Sequence, residues 1–205
     1  MQVLEIKPIK NRKVIAYVFT KENSQTLQNS TIEELESFIR KKSINFVTID
    51  FDIDMHEFSK TQFAKTLESL GVKYFQVDIP EFPLSYLYQE ILDDEKYLEE
   101  LVKEYLTLEN KNTYKAESLK IWIDVLNSKI QEEENQLSLE LRPLWIVKRM
   151  LDLTRRIKED EISFVHFVQT DICEDTCPQV VKNLRKFNVK VIQYNKKHTI
   201  QNIKI

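Results

Sequence analysis

The chain has 205 residues, 42% of them hydrophobic and 31% charged, with a formal net charge of −3; this length supports one sizeable core, or one core with an appendage. So mixed a composition belongs to a folded, well-solvated chain, and so small a net charge gives no global argument for a polyanionic partner. The single glycine, Gly71, excludes the Gly-rich loops that cradle phosphates, so no dinucleotide cofactor and no P-loop nucleotide is expected.

The N-terminal stretch alternates apolar and polar residues and reads as strand, not as the apolar run of a signal peptide. Val3, Leu4 and Ile6, then Val14, Ile15, Tyr17 and Phe19 beyond an Asn11-Arg12 turn, predict a β-hairpin over 2–9 and 13–19. Ser30 or Thr31 ahead of Glu33 and Glu34 marks a helix start, with Ile32, Leu35, Phe38 and Ile39 on one face. The β-branched run Ile44–Phe51 predicts a buried central strand. Phe58, Phe63, Leu67 and Leu70 form a further helical stripe closed by Gly71, and a strand then runs to Pro80. Strands alternating with helices at this spacing predict an α/β fold with a mostly parallel sheet and right-handed crossovers.

The pattern changes at residue 81. Leu84, Leu87, Ile91, Leu98, Leu101, Tyr105 and Leu108 recur at three-and-four spacing with one beat missed at Asp94. After a polar turn the pattern resumes at Leu119, Trp122, Leu126, Ile130 and Leu137. These predict two long helices forming an antiparallel helical hairpin inserted into the sheet domain. From Arg142-Pro143 the α/β pattern returns with a helix near 143–158, a buried strand around His166, a helix opened by Pro178 and a last strand. The expected organisation is thus a single α/β domain over 1–205: a first part over 1–80, the hairpin over 81–141, a returning part over 142–195 and a polar tail over 196–205. No run reaches the roughly 18 apolar residues of a membrane span, and two cysteines build no disulfide framework. A cytoplasmic protein with no membrane partner is expected.

Ligands of parallel sheets bind at the carboxyl ends of strands, and acidic residues recur there. Asp50, Asp52, Asp54 and His56 follow one strand, Asp78 the next, and Asp171 a third. Asp50, Asp52, Asp78 and Asp171 together would make a hard-cation site for Mg²⁺ or Mn²⁺; the competing reading is that they cap turns and helices. Asp50, His166 and Cys177 are the candidate catalytic groups, because a thiol at a helix N-terminus loses its proton more readily. The competing reading makes His166 a hydrogen-bonded core residue and Cys177 a buried thiol. Arg142, Lys148, Arg149, Arg155 and Arg156 fall on one side of their helix around Trp145, the one place where nucleic acid could be gripped. Residues 81–141 hold fifteen acids against six lysines, so a charge network with the hairpin competes with that grip.

With no motif that fixes a reaction, the sequence favours a binding or interaction protein whose helical hairpin is a surface for self-association, as a homodimer, or for a partner. The alternative is a metal-dependent hydrolase, acting on phosphoesters, that uses the strand-end carboxylates.

Overall fold

The computed structural model describes residues 6–19, 32–50, 55–168 and 176–194. Five strands form one sheet: β1 (Lys13–Phe19), β2 (Ile44–Ile49), β3 (Lys73–Gln76), β4 (Glu161–Phe167) and β5 (Val189–Tyr194). Their spatial order is β3-β2-β4-β1-β5, and all neighbours are parallel. Helix α1 (Ile32–Lys41) connects β1 to β2, and α2 (Met55–Lys60) with α3 (Gln62–Ser69) connects β2 to β3. Helix α7 (Thr176–Lys186) joins β4 to β5, and α6 (Arg142–Arg156) precedes β4.

The right-handed crossover rule determines which helix covers which face. The connections β1→β2→β3 run toward one edge, while those into β4 and on to β5 run toward the other. One face accordingly packs Phe38 and Ile39 of α1, Phe58 of α2, and Phe63 and Leu67 of α3 against Ile15, Val47 and Val165. The other packs Ile146 and Met150 of α6, with Val180 and Leu184 of α7, against Val14, Phe46 and Phe164. Strand side chains alternate between the faces, so the central strands are apolar on both sides and read as continuous hydrophobic runs.

The expected pairing of 2–9 with 13–19 is not present among the described residues. Residues 6–10 form no strand, and both edges of β1 are occupied, by β4 and by β5. The helical stripe from Phe58 to Leu70 is broken into two helices, because Thr61 turns to an extended backbone and accepts the Ala64 N–H at the start of α3. Gly71, at φ +70°, closes α3: its N–H reaches Glu68 O while Val72 N–H reaches Leu67 O, a left-handed end that favours glycine.

Residues 79–141 form a second compact unit. It contains α4 (Glu81–Thr107), α5 (Tyr114–Asn135) and a π-helical turn, Gln136–Leu141. Helix α4, of 27 residues, is about 40 Å long. Its core consists of Ile91 and Leu101 against Leu119, Leu126, Ile130 and Leu137. Thr113 caps α5 by accepting the Ala116 N–H. Lys115–Glu104 and Lys129–Asp94 ion pairs cross between the two helices, which fixes their antiparallel sense. No helix among the described residues is long and apolar enough to cross a membrane.

Candidate functional site

The connections leaving β2 and β4, which are neighbours, diverge: β2 leads to β3 on one face, and β4 leads past β1 to β5 on the other. In open parallel sheets ligands gather at such a point, beyond the carboxyl ends of the two strands. Asp50 stands at the end of β2 and His166 near the end of β4, both facing the side covered by α6 and α7. His166 is fully buried and Asp50 is 2% exposed. His166 Nε2 lies 3.5 Å from Asp50 Oδ2 and, among the described residues, has no hydrogen-bond partner. Its Nδ1 is 3.1 Å from Thr48 Oγ1, and the same hydroxyl is 3.2 Å from Val165 O.

The carboxylate favours a proton on Nε2. The Thr48 hydroxyl can then donate to Nδ1 when the ring is neutral, or turn to Val165 O and accept from Nδ1 when the ring is charged. The hydroxyl rotor can therefore serve Nδ1 with or without a proton, and Asp50, His166 and Thr48 form a buried polar cluster in the sheet. As placed, neither Asp50 nor His166 is open to a substrate.

Cys177 lies in the first turn of α7 and is buried. Burial pushes its thiol pKa up to about 11, with the Asp50 charge adding to the effect, so desolvation outweighs the helix terminus and the thiol keeps its proton. Asp78 is held by the Arg142 guanidinium: Nε donates to Oδ1 at 2.9 Å and Nη2 to Oδ2, with both side chains less than a tenth exposed. Trp145 Nε1 donates to the Asp78 carbonyl at 3.2 Å. A paired carboxylate of this kind is already neutralised, and removing either partner would leave a buried charge. His56 is exposed on α2, so the strand alternation does not carry from Asp50 to it. Asp52, Asp54, Asp171 and Cys173 lie outside the described residues. Among the described residues, no three His, Cys, Asp or Glu side chains gather as a metal site.

The basic side of α6 is largely engaged. Arg142 serves Asp78, while Lys148 and Arg155 both reach Asp152 on their own helix, at 2.8 and 2.6 Å. Burial works to raise the Asp152 carboxyl pKa, but the bonds and charges of Lys148 and Arg155 outweigh it and hold it below its ordinary value. Arg155 also donates to the Lys7 carbonyl.

The helices of the second unit present a different kind of surface. All ten exposed large apolar side chains among the described residues lie between Phe82 and Val125, on α4 and α5. Trp122 is one of them, at 60% exposure, and Leu87 another. The spacing assigned both to the inner face, but Ile123 and Tyr88 take those places. After Leu119 either 122 or 123 satisfies a three-or-four step. Only 123 keeps the strict alternation through Ala116, Leu119, Leu126 and Ile130.

No family model, no curated protein and no solved structure matches the chain.

Proposed function

We propose that the protein is an interaction module in which α4 and α5, as an antiparallel hairpin inserted in an α/β domain, supply the surface for self-association. The observation that supports it is the concentration of exposed apolar side chains on these two helices, among them Tyr114, Ile121, Trp122 and Val125 at 56–86% exposure. Large apolar patches on a folded surface mark sites of association. Sedimentation of the wild-type chain should give a dimer, and Ile121→Glu with Val125→Glu should give a monomer with an unchanged helical spectrum. A wild-type monomer at tens of micromolar would remove this reading.

A second reading, a Mg²⁺- or Mn²⁺-dependent hydrolase, is supported by the position of Asp50 and His166 where the crossovers diverge, and it requires a movement that opens these buried groups to substrate. Calorimetric titration with either cation should then give binding in the wild type and none in Asp50→Ala. Flat titrations of both proteins at millimolar metal would end it.

A further inference from the structure

Helix α5 carries two seams. The inner one, Leu119, Ile123, Leu126 and Ile130, packs with the apolar residues of α4, and Ala116 is buried three residues before it. On the opposite side, Tyr114, Ser118, Ile121, Val125 and Ser128 repeat at alternating steps of four and three, the spacing of a coiled-coil stripe. Four of these five are exposed, and Ser118 is partly so. A helix already packed on one side that keeps a second apolar stripe at the same repeat is built for two neighbours.

We infer that the second neighbour is α5 of another copy of this chain, packed in parallel about a two-fold axis along the helix. This rests on the self-association reading and specifies its geometry. The charges beside the outer stripe select both partner and direction. One flank carries Glu117 and Asp124, the other Lys115, Trp122 and Lys129. In a parallel pair each flank meets the opposite flank of the partner, so Asp124 faces the partner's Lys129, Glu117 faces the partner's Trp122, and the two acidic flanks stay apart. In an antiparallel pair each flank meets its own copy, and the acidic flank would oppose itself. Self-complementarity on both flanks is a requirement of a two-fold interface and of no unrelated partner. Ser118 and Ser128, small residues within the stripe, let the helices approach closely, and Glu132 ends the seam. Lys115 already pairs with Glu104, and Lys129 with Asp94 and Glu133, all of their own hairpin, so the partner's Asp124 would join an existing acidic surround, and the main charge effect is the separation of like flanks.

Equivalent residues of a parallel seam meet across the axis, so Ser118→Cys reads the direction directly. Under mild oxidation Ser118→Cys should form a disulfide-linked dimer that the wild type, with its native cysteines, does not form. Asp124→Lys should weaken dimerisation about tenfold in sedimentation without changing the helical spectrum. A wild-type dimer whose Ser118→Cys variant stays uncrosslinked, while Ser118→Cys with Ser128→Cys crosslinks 118 to 128, would overturn the parallel geometry and keep the self-association reading. A wild-type monomer would overturn both.

Discussion

Cys177 shows how one residue's surroundings reverse the expectation drawn from its position. A thiol in the first turn of a helix is stabilised as thiolate by the orphan N–H groups, and that much is visible in the sequence from Pro178 beside it. What the sequence cannot show is that the turn faces inward onto the sheet, beside Asp50. With the folded pKa near 11 against an ordinary 9.0, the thiolate fraction at pH 8 falls about 100-fold. In a Cys173→Ser background, Cys177 should therefore react with a disulfide reagent at pH 8 at least about 100-fold more slowly than in urea. Similar rates in the two conditions would mean an accessible thiol. The sign of the linkage follows: the folded state holds this proton more tightly, so its contribution is intact below pH 9 and is lost as pH rises through 11. Arg142 shows the same limit. Helical spacing places it with the other basic residues, whereas its partner Asp78 lies 64 positions earlier in the chain, a distance over which no periodicity speaks.

At the scale of elements, regular patterns were readable where burial imposed a period. The β-branched runs at Ile44 and Ile162 became central strands because helices cover both faces of the sheet and bury the side chains on each. The N-terminal alternation misled for the opposite reason: an alternating stretch specifies a half-buried strand but not its partner, and β1 found parallel partners far along the chain. The missed apolar beat at Asp94 has a local account. Asp94 sits toward the inner seam, 21% exposed at its side chain, and receives Lys129 at 2.6 Å. The ammonium is held protonated first by its bond to Asp94 and then by neighbouring charge. A single polar position in an apolar seam fixes register at some cost in stability. Asp94→Leu should fill the beat and stabilise the helix pair by about 1–2 kcal/mol, a rise of about 2–6 °C in the melting temperature, whereas Asp94→Lys, placed against Lys129, should lower it. Circular dichroism melts of both variants check this; a lower melting temperature for Asp94→Leu would mean that the charged pair outweighs the apolar contact.

At the scale of the whole molecule, the class of fold followed from the order of strands and helices, but the strand order did not. The arrangement β3-β2-β4-β1-β5 depends on which edge each crossover moves toward, and right-handedness fixes only the face once that edge is known. The pairing of Asp50 with His166 depends on that order, since it requires β4 to insert between β2 and β1. The cores, by contrast, segregate along the chain. The clusters on the two sheet faces draw on residues before 78 and after 145, and the third cluster on residues 84–141. Asp78 and Arg142, immediately outside residues 79–141, are hydrogen-bonded to each other, which brings the two ends of that stretch within the reach of a long side chain. Four residues of extended chain span about 13 Å, enough to join them. Replacing residues 80–141 by a four-residue Gly-Ser linker should therefore leave a sheet domain that melts in one cooperative transition, with Asp78 and Arg142 still paired, and that sediments as a monomer. Adding Arg142→Ala to this shortened chain should cost several kcal/mol, because the Asp78 carboxylate would be left buried without its counter-charge. A shortened chain that melts gradually would show that α4 and α5 are needed to complete the sheet domain; a cooperative one indifferent to Arg142→Ala would show that the pair does not hold the junction.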